Sequence, residues 1–149
     1  MNILSTAIDE ELSPLVKPPI ALEQLQRYAD ASGDRNPIHL DEEAAHRVGL
    51  DSIIAHGMLS MAFLGQFVTQ QIADNPEAYV ALLKVRFMSM VRLGDTLTCH
   101  GLLKARTMDN NGEVSMVIEC WAQNQKGEKV TTGEAVIFVP FVQRNEVSA

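Results

Sequence analysis

Positive charge is scarce in this 149-residue chain: twelve Lys and Arg stand against nineteen Asp and Glu, a formal net charge of −7. No Lys/Arg cluster breaks that pattern. Neutralising a phosphate backbone needs concentrated cations, so nucleic acid is not an expected partner. The same imbalance argues against anionic membrane surfaces. Cysteine is scarce too. Cys99 and Cys120 form no CxxC pair and lie in strand-like segments, which predicts buried free thiols and a reducing, cytoplasmic setting. Long apolar runs are missing: the longest helix-like stretch, 58–72, carries Gln66, Gln70 and Gln71 and is too short and too polar to span a bilayer. The first residues lack a basic region followed by an apolar run, so no secretory signal is expected. The four histidines lack metal-ligand spacing, so no metal site is expected, and nothing calls for a cofactor. There is no internal repeat, low-complexity tract or domain linker.

What is present is apolar patterning. Hydrophobic residues make up 46% of the chain, and a chain of this length buries roughly two-thirds of its unfolded surface, enough for one real core. The expectation is a single domain over 1–149, with an extended lead-in over 1–20 ending at Pro18-Pro19 and a tail over 141–149. Leu22, Leu25, Tyr28 and Ala29 share one face at helical spacing, and Ser32-Gly33-Asp34 then breaks that helix, with Asn36-Pro37 preventing its continuation. A short helix is predicted over 41–48, with Asp41 as cap, Glu42 and Glu43 at its positive end and Gly49 at its stop. A third begins near His56-Gly57 and runs to about residue 73; being apolar almost all round, it reads as a buried central helix. After Pro76 the period shortens to two, and 79–88, 96–107, 113–123 and 129–139 read as strands. Asn110-Asn111-Gly112 and Lys126-Gly127 supply meander turns. Helices first and strands after suggest an α+β domain in which an antiparallel sheet wraps one long apolar helix.

The chemistry concentrates between Tyr28 and Asp41. Asp34 and His39 sit five residues apart on a segment that cannot be one continuous helix, because Gly33 and Pro37 bend it. Both side chains can therefore converge on one point. A carboxylate can take a proton from water, and an imidazole, with a reference pKa of about 6.5, can accept or donate one near neutral pH. Alone, the same residues read equally well as a turn aspartate and a structural histidine. Gly57 stands where the apolar helix begins. There it either aims an unpaired amide and a partial positive charge at a carbonyl or simply admits close packing.

The run Ser32-Gly33-Asp34-Arg35-Asn36-Pro37-Ile38-His39 resembles the signature of the MaoC-like dehydratases, the (R)-specific or type-2 enoyl-CoA hydratases. Ala55-His56-Gly57-Met58-Leu59 is similar to their second motif. Val85-Arg86-Phe87, followed by Val91-Arg92-Leu93-Gly94-Asp95-Thr96-Leu97, is similar to a third. The three stand in family order, and the resemblance covers roughly 21–140. It implies a hot-dog fold, Asp34 and His39 as the catalytic pair, and Gly57 as the amide donor to the thioester oxygen. It makes Asn36, His56 and Met58 candidates for substrate contact. The implied reaction is reversible syn hydration of a trans-2-enoyl thioester of coenzyme A or acyl carrier protein to the (R)-3-hydroxyacyl thioester. A homodimer or higher homo-oligomer is expected by the same analogy, with a heterodimer as the alternative. Some relatives carry a serine two turns into the central helix; Gly65 stands there here, with Ser60 and Thr69 nearby in sequence.

Two competing readings keep the fold: a thioesterase, and an acyl-binding partner subunit of a hetero-oligomeric dehydratase. Hydrolytic relatives lack the Asp34…Asn36-Pro37-Ile38-His39 arrangement, and a pure scaffold has no need of Asp34 and His39 together. His46 reads as a solvated helix residue and His100 as a structural strand residue. Lys84, Arg86, Arg92, Lys104 and Arg106 either meet coenzyme A phosphates or line solvated strand faces.

Overall fold

The computed structural model describes residues 2–140; the expected tail over 141–149 lies outside them. Strand β1 (Leu15–Val16) precedes helix α1 (Leu22–Ser32), a 3₁₀ turn (Pro37–His39), α2 (Glu42–Arg47) and the long α3 (Gly57–Gln71). Then come β2 (Tyr79–Phe87), β3 (Thr98–Met108), β4 (Val114–Gln123) and β5 (Lys129–Val139). They form one sheet in the order β1-β3-β4-β5-β2, antiparallel at every pairing. The β3-β4-β5 meander is the one expected from the turn residues. Strand β2 joins it at the far edge, beside β5. Register shifts at Val80/Leu82 and Leu103/Ala105 bend the strands, as bulges do.

The sheet curls over α3. Leu59, Phe63, Leu64, Phe67 and Val68 of the helix pack with Leu103, Met116, Ile118 and Ile137 of the strands. Phe67 is completely buried, and truncating such a ring to alanine typically costs about 3–5 kcal/mol. It can lie flat on the sheet only because residue 101 is glycine: a Cβ there would stand 2.8 Å from the Phe67 ring and 3.0 Å from the Glu119 carbonyl. This is the α+β, helix-in-curled-sheet arrangement that the hydrophobic periodicity implied.

Three details differ from the sequence expectations. Helix α3 is not buried all round: Met58, Ala62, Gln66, Thr69 and Gln70 are exposed, because five strands curl round only part of its circumference. Leu22 is exposed, and the buried side of α1 is carried by Leu25 and Ala29. The extended lead-in also contributes core: Ile3, Leu4, Leu12 and Ile20 are buried. Its backbone follows the outer edge of β3, with Asp9 donating to the Leu103 carbonyl and Leu12 to the Gly101 carbonyl. One sheet edge is thereby covered and the β2 edge is left open. Among the described residues, no helix is long and apolar enough to cross a membrane.

Candidate active site

The loop after α1 is shaped by its own short polar side chains. Gly33 ends the helix at φ +80°, a conformation glycine adopts without steric cost, and its amide closes on the Ala29 carbonyl at 2.9 Å. Ser32 Oγ accepts from the Asp34 amide, Asp34 Oδ1 from the Asn36 amide, and Asn36 Oδ1 from the Ile38 amide. This chain of Asx-type turns caps the 3₁₀ turn that carries His39. Asn36 thus spends its side-chain oxygen on the loop, while Asp34 keeps Oδ2 free of the backbone.

That free oxygen lies 3.9 Å from His39 Nε2. The gap is too long for a direct hydrogen bond, and one water can touch both atoms at about 2.8 Å. The His39 side chain is 10% exposed and that of Asp34 54%, so the pair joins a buried ring to an acid at the rim. His39 Nδ1 lies 2.7 Å from the Ile54 carbonyl oxygen. A carbonyl can only accept, so Nδ1 carries a proton and Nε2 is the nitrogen that faces Asp34. The carbonyl is held in turn by the Ile54–Arg92 bridge and by the Ala55 amide bound to the Val91 carbonyl at 2.7 Å.

His56 caps the start of α3 with its backbone only. Its ring is 2% exposed and stacks on His39 with centroids 4.0 Å apart and planes at 28°. Its Nε2–H donates to the backbone carbonyl of Asp34 at 2.9 Å, and Tyr28 of α1 meets it edge-on at 4.8 Å. One ligand-capable atom from each of Asp34, His39 and His56 lies within 4.8 Å of the other two, a cluster that spacing along the chain did not suggest. Two of the four ring nitrogens are already committed to backbone carbonyls, His39 Nδ1 to Ile54 and His56 Nε2 to Asp34.

Beside His39 opens a cavity of about 590 Å³ lined by Ile54, Gly57, Phe87, Met88, Met90 and Arg92 among others. Gly57 is the first residue of α3, where amides have no partner within the helix and the macrodipole is positive. A Cβ on Gly57 would sit 3.4 Å from the Phe87 ring, so the glycine keeps this amide close to an apolar wall. Of the sequence candidates, the structure brings together Asp34, His39, His56 and Gly57. Neither Asp34 nor His56 is in the cavity wall: Asp34 reaches it only through the 3.9 Å approach to His39, and His56 packs its ring against His39 and Tyr28. Met58 is exposed and is also absent from the cavity wall, and Asn36 turns into its own loop.

The remaining expectations resolve through local partners. Gly65 has only Leu83 near, at 3.8 Å from an added Cβ. The two hydroxyls near it in sequence are spent elsewhere: Ser60 donates to the Gly57 carbonyl at 2.7 Å and meets Thr131 at 2.6 Å, and Thr69 donates to the Gly65 carbonyl at 2.8 Å. Lys84 pairs with Glu134, Arg92 with Asp51 and Lys104 with Asp9, while Arg106 donates to the Thr6 carbonyl. The Arg92 guanidinium holds the Asp51 carboxyl below its ordinary range. His46 is exposed beside Glu42, and His100 stacks on Trp121 on the outer face of the sheet. The sequence reading missed the Ile54 carbonyl, which any residue would supply, and Phe87 as cavity wall.

Comparison with known proteins agrees with this fold. The (R)-specific enoyl-CoA hydratase of Rhodospirillum rubrum is 29% identical over 133 residues, covering 89% of this chain and 89% of that protein. The mouse peroxisomal multifunctional enzyme type 2 is 41% identical over 66 residues, 44% of this chain, and the match spans 9% of that much longer protein. Among solved structures, the R-hydratase PhaJ1 of Pseudomonas aeruginosa superposes with a TM-score of 0.69 at 31% identity, covering 92% of this chain and 84% of that one. The family model described as MaoC like domain matches residues 4–120: the chain belongs to the MaoC-like dehydratase family, and its fold is the hot-dog.

Proposed function

We propose that this chain is a hydro-lyase that reversibly adds water, in syn fashion, across the double bond of a trans-2-enoyl thioester of coenzyme A or acyl carrier protein. The product is the (R)-3-hydroxyacyl thioester. The observation that carries the reading is the 3.9 Å gap between Asp34 Oδ2 and His39 Nε2, sized for one shared water beside a cavity whose wall includes Ile54, Phe87, Met88 and Met90. Asp34 takes a proton from that water as its oxygen attacks Cβ, and the dyad returns a proton to Cα on the same face. Charge developing on the thioester oxygen meets the Gly57 amide and the positive end of α3. Asn36 keeps the loop in register, and Met58 flanks the site at the first turn of the helix.

The proposal includes a dimer and a cytoplasmic setting. The outer edge of β2 is open in the described sheet, with Tyr79, Leu82 and Phe87 exposed along it and Met88 and Met90 exposed just beyond. An uncovered apolar edge is a template for pairing. Phe87, Met88 and Met90 also line the cavity, so a second copy seated there would close its wall. Two buried free thiols suit a reducing compartment.

The test is to mix purified protein with crotonyl-CoA and longer 2-enoyl-CoAs and follow loss of the conjugated enoyl absorbance. Asp34→Asn and His39→Gln should each lower turnover roughly 10²–10⁴-fold with an unchanged circular dichroism spectrum. Release of free thiol would instead mark a thioesterase. Activity only in the presence of a second, different chain would replace the homodimer with a heterodimer. Full activity in both variants would end the reading.

A further inference from the structure

His56 has an unusual set of contacts for a helix-capping residue. Its side chain makes no cap bond. Instead Nε2–H reaches back twenty-two residues to the Asp34 carbonyl, and the same ring lies flat on His39. One rigid side chain therefore touches both members of the dyad, the acid through its backbone and the base through its ring. The opposite nitrogen, Nδ1, is buried with no hydrogen-bond partner among the described residues. A buried acceptor left unpaired is destabilising, so an apolar residue would be the more stable filler if packing were all that this position required. The 2% exposure of His56 removes substrate contact as the reason.

We propose that His56 is the positioning residue of the site, holding Asp34 and His39 one water apart by donating to the Asp34 backbone while stacking on the His39 ring. This rests on the reading of Asp34 and His39 as the working pair. Among the described residues no other side chain has a hydrogen bond or ring contact with both members of the pair. The Asp34 carboxylate is more than half exposed, and the turns on either side of it are short-range, the loop being tied to Ile54 only farther on, at Ile38 and His39. The other charged groups near the dyad are Arg35, next to Asp34 in the chain and paired with Asp30, and on the cavity wall Arg92, paired with Asp51, and Glu128. Tyr28 packs on the far side of His56.

Two variants separate the contacts. His56→Phe keeps a ring to stack and removes the donor; His56→Gln places an amide N–H near the same spot and removes the ring. A misplacement of the dyad by about 1 Å is expected to cost roughly 10²-fold. His56→Phe should therefore lower kcat for crotonyl-CoA by about that factor with KM unchanged, and His56→Gln should recover part of the loss. The pH–rate profile should change shape, whereas a partly unfolded enzyme would lower its height alone. ¹⁵N NMR of the imidazoles supplies a readout independent of turnover: wild type should show Nδ1–H for His39 and Nε2–H for His56, and the His39 signals should move in both variants. A folded His56→Phe enzyme with wild-type kcat, pH profile and His39 signals overturns the proposal. If wild type itself is inert on enoyl thioesters, the functional reading fails, and the His39 signals still decide whether His56 sets the geometry of the pair.

Discussion

Replacing Gly57 by proline would delete one N–H from the site while leaving the helix that carries it intact. Gly57 is the first residue of α3, the position at which proline is tolerated because its missing amide has no intrahelical partner. The residue before it, His56, already has φ −58° and ψ 132°, the extended range that a following proline demands. Any ring or Cβ at this place presses on Phe87, since an added Cβ meets that side chain at 3.4 Å. Gly57→Ala is therefore the control: it brings the same crowding and keeps the amide. The difference between the two variants isolates the hydrogen bond to the thioester oxygen. Losing such a donor costs about 2.7–4 kcal/mol of transition-state stabilisation, or about 10²–10³-fold in kcat. The assay is steady-state hydration of crotonyl-CoA, with thermal melts to verify that both proteins are folded. A proline variant as active as the alanine variant would refute the assignment of the Gly57 amide to the thioester oxygen.

Burial pushes the thiols of Cys99 and Cys120 up to about 12, so a thiol-reactive dye at pH 8 should label neither in the native protein and both in denaturant. The sign for stability follows from the same shifts. Unfolded thiols ionise near 9 while folded ones keep their protons, so this contribution is whole below pH 9 and is lost as pH rises toward 12; urea midpoints should fall across that window. Gly101→Ala should lower stability by about 1–3 kcal/mol through overpacking, because the new methyl would stand 2.8 Å from the Phe67 ring; a thermal melt reads it. Leu82→Lys on the open β2 edge, at a side chain already 44% exposed, should leave the melt unchanged and shift the proposed dimer toward monomer in sedimentation velocity.

Much of the architecture was readable from local pattern. The four long strands fall within two residues of the period-two segments, and α3 begins at the glycine that opens its apolar run. Asp41 caps α2 by accepting from the Glu43 amide, as its place before two acidic residues implied. Those signals are legible because they depend on neighbours a few positions away. The partial exposure of α3 was not, since periodicity tells which residues are apolar and not how far a sheet will curl. The buried lead-in escaped for a similar reason: Ile3, Leu4 and Leu12 carry no period of their own and are ordered by an edge of β3 some ninety residues downstream.

The candidate site divides along the same line. By itself the sequence determined which groups were available: an acid, an imidazole and a bend between them, and an amide at the head of an apolar helix. Only the tertiary structure decided how they face one another. His39 takes its tautomer from the Ile54 carbonyl fifteen residues away, and Asp34 is tied to His56 across twenty-two. Both acceptors are backbone carbonyls, identical at every residue, so no side-chain pattern can announce them. Their position follows from the packing of α1, α3 and the β2–β3 connection around one point, and that packing is a property of the whole core.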